Sequence, residues 1–581
     1  MGSSKRTIKK FIKDPVVDYV TLDADELEVV QNQYFQRLRY IKQNSTAYLT
    51  YPMLCGVTRF DHSLGVMEMA DRVLVNGLNN PTDETIKDEF LQGCCEEFGI
   101  DKTEADWKEQ VENRLRKIIR LAGLSHDLGH FPFSHTTEKV LENFIRHSTE
   151  DTFKKLFNEA QQAEAREFIT LNAELKKAGK PKVGLHEFTS AKVVDSLPLE
   201  DALKKHIVNI LLYPGTSPIF KALNSIITSD LDVDKIDYIL RDGGASGGDF
   251  RGFDINRLIA SFKLYRENGD YYFLPSEQAL SSIETMLAER LKLYRWVYYH
   301  QHVILTDYLL SKSIELLLNV FVDREDIREE APGQFDGIIQ LSEKLVSRIH
   351  YLNYVDHGTY FDDIFLFSLL RELFEHLSRI DMGGGKSLAS QKVMLVYLKG
   401  LLTRAKVAVP LWKKPARFTM LDGYFRSHLA KDMTAPRIFL REEIQAPKIA
   451  INKMVERLID KAKIEEFEKS ITEKIKSEID ESYSLFLITK SFTPYHLPET
   501  QTDEESRILM RTDEGWIAVW VSQITQMATG LNNAWEGFPH SFAFIISESG
   551  EPPATDKAER VREIFPEFLF NYAKEMAKTL R

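Results

Sequence analysis

Three short segments hold residues that could bind a metal and move protons: RFDHSLGV (59–66), LAGLSHDLGHFPFSHTTE (121–138) and SDLDVDKIDYILRD (229–242). His126 and Asp127 are adjacent in sequence. On a helix such neighbours project about 100° apart and can approach one ion from two sides. Imidazole with carboxylate suits a divalent Mn, Fe, Zn or Ni ion. The dipeptide alone is weak, but His130, His135 and Glu138 follow it in the same segment. A helix over Arg114–Leu128 is expected to carry the pair, with His130 one turn on and sharing the face of His126. Gly129 and Pro132 flank the point where that helix should end. His62 taken alone is an ordinary core or surface histidine. In the third segment Asp234, Tyr238 and Asp242 are spaced four apart, on one helical face, with Lys235, Asp237 and Arg241 beside them. Asp237 and Arg241 could form a plain i,i+4 ion pair, and an acidic face could simply be solvated.

The rest of the chain restricts what this chemistry serves. The 581 residues carry a net charge of −12, with 43% apolar and 28% charged residues. That balance is ordinary for a soluble globular protein, and it argues against a nucleic-acid coat or a membrane-surface binder, both of which need basic faces. No run of about 18 apolar residues predicts a membrane span. Cys55, Cys94 and Cys95 make neither a metal-type pair nor a disulfide framework. So few thiols in a long chain read as cytoplasmic and reduced. The basic start MGSSKRTIKKF lacks a signal peptide's apolar run, and its Gly2-Ser3 is too short a match for a myristoylation site.

The elements that must position these residues are mainly helical. VVDYVTL (16–22) alternates as a strand or hairpin edge, and the spacing turns helical over Asp25–Gln43 and again over 60–80. Residues 79–110 are polar and acidic and read as an insertion or loop-rich connection. Helices are expected over 149–182, 186–213, 219–242 and 275–320, with GGASGGDFRGFD (243–254) a glycine-rich loop, either a mobile turn or a lip over a pocket. MGGGKS (382–387) is not a phosphate loop, because Ile380 stands where the first glycine is needed; it reads as a surface linker. Residues 450–482 read as a solvated amphipathic helix or helix pair, with Ile451, Met454, Val455, Leu458, Ile459, Phe467, Ile471 and Ile475 on its apolar face. After Ser482 strand patterns take over. The expected architecture is therefore mainly α, with a helical core over 1–410 (insertion about 79–112) and a C-terminal accessory region over 411–581, helical and then α+β.

The three segments in this order, with FQRLRYIKQ (35–43), Tyr51-Pro52 and ERLKLYRWVYYHQ (289–301), resemble the HD-domain deoxynucleoside triphosphate triphosphohydrolases over about the first 310 residues. The resemblance implies a metal held by His62, His126, Asp127 and Asp234, so the helical carboxylate becomes Asp234 rather than Asp232 or Asp237. It implies His135 as proton donor oriented by Glu138, and His130 and His186 at the α-phosphate. Arg59, Lys235 and Arg290 would bind phosphate, Tyr238 would line the site, Gln43 and Asp242 would hold the sugar 3′-hydroxyl, and Tyr298 would pack under the sugar. Such a centre would take a divalent transition metal, and Mg with the nucleotide, and cleave dNTP at the α-phosphorus to deoxynucleoside and triphosphate. The bound ion supplies hydroxide near neutral pH, and the cations offset phosphate charge. A histidine must protonate the departing 5′-alkoxide, which is a poor leaving group.

The resemblance also implies a nucleotide activator at Lys10, Gln36 and Arg39, a homo-oligomer (dimer, tetramer or hexamer), and control of the dNTP pool, of which starving a virus is a variant. Departures bear on base choice. Gln43 is followed by Asn44-Ser45-Thr46, Tyr299 replaces a glutamine near the base, and Gln31 with Asp14-Pro15-Val16-Val17-Asp18 replaces a guanine-reading pattern. Two other functions fit the metal residues: an HD phosphohydrolase acting on a monophosphate, cyclic dinucleotide or alarmone, and a non-catalytic nucleotide sensor.

Overall fold

A computed structural model of the chain describes residues 8–179, 182–248, 250, 252–349, 361–380, 387–412, 415–431, 461–489, 507–536 and 538–579. It opens on an antiparallel hairpin, β1 (Lys10–Asp14) and β2 (Asp18–Leu22), in which Asp14 pairs with Asp18 across the turn. The Asp14 carboxylate accepts from Val16 N (2.8 Å) and Val17 N (3.0 Å), so one acid both turns and pins the hairpin. The helical stretch predicted from Asp25 is two helices, α1 (Ala24–Gln31) and α2 (Gln33–Arg37), broken at Asn32, whose side chain caps the second.

The core of the first unit is α3 (Arg59–Asn79) packed along α5 (Trp107–Ser125). Gly123 permits the close approach, since a Cβ there would stand 3.1 Å from the Met67 Cα. A buried ion network reinforces it: Arg120 reaches Glu26 (2.5 Å), Glu68 (3.0 Å) and Asp71 (3.2 Å). Residues 79–110, read as loop-rich, contain a full helix, α4 (Glu84–Phe98). Its Phe90, Leu91, Cys94 and Cys95 are buried, and Gly99 closes it in the left-handed conformation. Four burying positions on one face outweigh the acidic composition that suggested a loop.

Beyond α5 come α6 (His135–His147), α7 (Glu150–Leu156), α8 (Glu159–Lys177), α9 (Leu185–Asp195), α10 (Asp201–Leu212), α11 (Pro218–Ile227), α12 (Val233–Ala245) and α13 (Ile255–Ala260). The glycine-rich stretch starts inside α12, because Gly243 and Gly244 are still helical, and the turn begins at Ser246. The hairpin β3 (Phe262–Glu267) and β4 (Asp270–Pro275) leads to α14 (Leu280–Leu293), which packs on α12.

Two units are formed, and neither is one stretch of chain. The first comprises Met1–Leu293, Ser342–Ser368 and Tyr495–Ala528, and the second Tyr294–Leu341, Leu369–Pro494 and Thr529–Arg581. The C-terminal strands, expected in one small domain, are shared between them. A hairpin at Arg507–Thr512 and Gly515–Trp520 belongs to the first unit, where Leu509 buries with Tyr272 and Leu274 of β4. In the second unit a three-stranded antiparallel sheet runs Ala408–Pro410, Ser541–Ser547, Tyr483–Thr489 in spatial order. Its core gathers Trp412, Phe418, Phe467, Ile471, Ile475 and Phe565. The last part of the charged 450–482 region is thus a helix, Lys461–Glu478, with one face in that core, while Ile451, Met454, Val455, Leu458 and Ile459 lie outside the described residues, as do the MGGGKS glycines. No helix among the described residues is long and apolar enough to cross a membrane.

Candidate active site

The His-Asp pair does not ride on a helix. α5 stops at Ser125, with His126 at its C-cap and Asp127 in the turn beyond. The cause is α9, whose Ser190 Oγ donates to the His126 carbonyl (2.6 Å) and accepts from Gly129 N (2.8 Å). Those backbone groups would otherwise extend the helical ladder. His130 is therefore not one turn along the face of His126. It stands beyond the turn, with its Nε2 3.1 Å from Asp127 and its Nδ1 2.5 Å from Glu138.

Around Asp127 the structure assembles the first half of the site. His62, from the first turn of α3, is wholly buried, with Nε2 2.9 Å from Asp234 Oδ1 and 3.7 Å from Asp127 Oδ2. His126 fixes its own ring by donating Nδ1–H to Gly123 O (2.8 Å), which leaves Nε2 3.3 Å from Asp127 and 4.0 Å from Asp234. Nitrogen and oxygen atoms of His62, His126 and Asp127 lie within 4.8 Å of one another. The Nε2 atoms of His62 and His126 are buried and complete no hydrogen bond. Two orphaned imidazole nitrogens facing two carboxylates are the donor set of a divalent-metal site, so these residues could hold one. Burial alone would push His62 down, but Asp234 and Asp237 outweigh it and raise it to about 10. Asp127, despite its burial, is held well below the carboxylate range by Arg59 and by the His126 and His130 imidazoles.

Glu138, 3% exposed at the first turn of α6, organises the second half. Its oxygens meet His130 Nδ1 (2.5 Å), His135 Nδ1 (3.0 Å) and His186 Nδ1 (3.2 Å). The His130 and His186 rings stack 4.2 Å apart and 8° from parallel. Against its burial, His186 is raised to about 9 by Glu138, which is itself held well below the usual range by the histidines. His135 is pushed down by the burial around it and by His130 and His186, against the pull of Glu138, while its side chain is 59% exposed. A histidine with a raised value stabilises the fold fully below its unfolded value of 6.5 and stops doing so as pH rises through about 9. Thermal melts of the metal-free protein should therefore fall from pH 6.5 to 9. His186→Gln is expected to lessen that slope and leave the share that His62, raised to about 10, contributes over the same range; an unchanged slope would rule out His186 as a source of it.

The loop between the two halves is strained. Phe133 (φ 56°) and Ser134 (φ 47°) both adopt positive φ. Asp363 holds the turn in place: its carboxylate accepts Phe133 N (2.6 Å) and Lys42 N (2.8 Å). Ser134 Oγ bonds Lys42 O (3.2 Å) and receives Arg59 Nε (3.2 Å). Arg59 also donates to Asp127 (2.7 Å) and to the Gln43 carbonyl (3.3 Å). The Gln43 side-chain oxygen is buried with no hydrogen bond.

On α12, Asp234, Tyr238 and Asp242 share the predicted face, with Asp242 buried. Lys235 Nζ bonds Ser229 O (2.6 Å) and Asp232 (2.7 Å), and the charge of Arg290, buried on α14, reaches it. Tyr298 belongs to the second unit, in a π-helical turn (Tyr294–Tyr298) where it packs edge-on to Tyr294 at 4.9 Å. Gln36 and Arg39 are joined (2.9 Å), with Arg39 over the Phe60 ring at 3.5 Å, and Lys10 is exposed on β1.

Several supporting contacts lie beyond sequence reading, among them the second role of Asp237. Asp237 is at once the ion-pair partner of Arg241 and the acceptor for His62 Nδ1 (2.8 Å). Gly65 lets them pack against α3, since a Cβ there would fall 2.0 Å from Asp237 Oδ1. The spacing His62-x-x-Gly65, one turn apart, was the available signal. Asp363 and Ser190 had none, because their partners are far away in the chain.

No family model matches the chain. It is 26% identical over 329 residues to a putative HD domain-containing protein of Acanthamoeba polyphaga mimivirus, covering 56% of this chain and 61% of that one. It is 26% identical over 315 residues to the human deoxynucleoside triphosphate triphosphohydrolase SAMHD1, covering 52% and 44%. The chain spans 58–64% of the length of its uncharacterized archaeal and bacterial relatives. A crystal structure of a hypothetical protein from Aquifex aeolicus aligns with 96% of this chain and 99% of its own, at a TM-score of 0.47 and 19% identity. By its sequence the chain is thus similar both to a putative HD domain-containing protein and to the deoxynucleoside triphosphate triphosphohydrolases named SAMHD1.

Proposed function

We propose that this chain is a metal-dependent dNTP triphosphohydrolase, releasing a deoxynucleoside and inorganic triphosphate. The observation that carries the reading is the junction of two clusters at Asp127. On one side stand His62, His126 and Asp234, and on the other His130 leads to Glu138, His135 and His186. In this reading His62, His126, Asp127 and Asp234 hold a divalent ion of the Mn, Fe, Zn or Ni class. When bound, it supplies Lewis acidity and hydroxide near neutral pH. Arg59, Lys235 and Arg290 draw in the phosphates, with Mg accompanying the nucleotide. Arg59 and Lys235 exchange their present carboxylate partners for phosphate oxygens, which the guanidinium binds bidentately and the ammonium as a point charge. His130 and His186 face the α-phosphate, and the Glu138–histidine cluster returns a proton to the 5′-oxygen through His135, whose exposed ring can meet a ligand. Gln43 and Asp242 hold the 3′-hydroxyl; the buried, unbonded Gln43 oxygen suits that task. A homo-oligomer with a nucleotide activator at Lys10, Gln36 and Arg39 completes the reading.

The test is a panel of all four dNTPs, singly and mixed, with the metal-loaded protein and product identification. Triphosphate from at least one dNTP, lost on chelation and restored by Mn, is expected. Monophosphate or pyrophosphate as the sole phosphorus product would replace this reading with another HD phosphohydrolase activity.

A further inference from the structure

The metal half of the site is wired to the N-terminal hairpin by an unbroken run of buried charge. His62 meets Asp237 Oδ2 through Nδ1 (2.8 Å). Arg241 grips Asp237 with two bonds, Nε to Oδ2 and Nη2 to Oδ1, both 2.8 Å. The same guanidinium reaches Asp14 with two more, Nη1 to Oδ2 (3.0 Å) and Nη2 to Oδ1 (3.3 Å). All four residues are at most 5% exposed, and the two partners of Arg241 are 227 and 4 residues away in sequence. Asp14 also accepts from Val16 N and Val17 N, so the relay ends on the atoms that form the hairpin turn. Gly65 leaves no slack, because Asp237 and Arg241 press on the bare α3 backbone one turn beyond His62.

We propose that Asp14, Arg241 and Asp237 are positioning residues through which the hairpin sets the metal affinity of His62. The inference rests on His62 being a metal ligand. Asp237 fixes the tautomer that presents Nε2 and raises its basicity, as carboxylates behind metal-bound histidines do. Asp14 governs how strongly. With both carboxylates present, Arg241 divides its charge between them, and Asp237 stays a strong acceptor for Nδ1–H. Without Asp14 the guanidinium turns wholly to Asp237 and weakens that acceptor. Coupling is reciprocal, so metal binding must steady the hairpin as much as the hairpin strengthens metal binding.

Titrating Mn into the metal-stripped, full-length protein tests this. Asp237→Asn and Asp14→Asn are each expected to weaken binding, by roughly 10- to 100-fold and roughly 10-fold, in the range of outer-shell metal partners. Asn at 14 keeps an oxygen for Val16 and Val17. Arg72→Ala is the control: it removes the bond from Arg72 to the Val17 carbonyl (2.9 Å), which also anchors the hairpin, yet leaves the relay intact. Affinity unchanged in Asp14→Asn, or lowered equally in Arg72→Ala, overturns the proposal. A readout on the wild type needs no variant. Hydrogen exchange of amides in β1 and β2 should slow on Mn addition, and exchange that ignores Mn counts against the coupling.

These outcomes separate from the proposed activity. Mn binding tuned by Asp14 in a protein that cleaves no dNTP removes the activity and keeps the relay. Metal-dependent cleavage with an indifferent Asp14→Asn does the reverse. A wild type that takes up no metal removes both.

Discussion

Asp127→Ala is expected to abolish nucleotide hydrolysis and metal uptake together. Asp127 is the hinge of the whole centre, standing 2.7 Å from Arg59, 3.1 Å from His130, 3.3 Å from His126 and 3.7 Å from His62. Its removal deletes a donor of the proposed metal site and the link between the two clusters in one step. It also leaves Arg59, 5% exposed, without its ion partner. Breaking a buried pair from one side costs about 3–5 kcal/mol, because the remaining charge stays in the interior. Asp127→Asn keeps the shape and loses only the charge, so it separates chemistry from folding. It should melt closer to the wild type and still fail to bind Mn or turn over dNTP. Metal content by elemental analysis, product release and thermal melts decide the matter. Full metal occupancy in Asp127→Asn would move the metal away from this nest.

Gly129→Ala should inactivate the protein by the opposite route, sparing the metal. A Cβ at 129 would lie 2.3 Å from the His186 carbonyl oxygen and 2.3 Å from Ser190 N, both backbone atoms of α9. No rotamer change relieves a clash with backbone, so α9 itself must move. Overpacking of this kind costs about 1–3 kcal/mol. The larger consequence is geometric. Moving α9 withdraws His186 from Glu138 and Ser190 from the turn that carries His126 and Gly129. A shift of about 1 Å in a catalytic group can cost 10²-fold in rate, and we expect at least that loss. His62, Asp127 and Asp234 do not belong to α9, so Mn binding should survive with reduced affinity at most. A variant with normal kcat would mean that His186 has no part in turnover.

The two substitutions bracket what could be read in advance. Part of the proposed metal set is visible locally, as a His-Asp dipeptide and carboxylates at helical spacing on α12, while His62 and the choice of Asp234 come from the resemblance. The relation of the dipeptide to His130 was misread for an equally local reason. A helix continued through Leu128 would put His130 one turn beyond His126, and nothing near by forbids it. The helix stops because Ser190, 64 residues on, takes the His126 carbonyl. Over 79–110, expected as an insertion or loop-rich connection, a helix forms because the buried face of Phe90, Leu91, Cys94 and Cys95 outweighs the net polarity.

Asp237 marks the boundary between the two kinds of information. Its pairing with Arg241 follows from i,i+4 spacing and needs no tertiary structure. Its bond to His62, 175 residues away, and the reach of Arg241 to Asp14, 227 residues away, exist only when α12, α3 and the hairpin are packed together. The sequence by itself determined which residues could do the chemistry, and that the architecture is mainly helical, because residue type and helical period are properties of neighbours along the chain. Tertiary structure alone decided where α5 ends, how Asp363 holds the strained turn at Phe133, and that one run of buried charge ties the N-terminal hairpin to His62. Each of these depends on a partner that periodicity cannot locate, and on burial, which makes an unpaired group costly enough to require one.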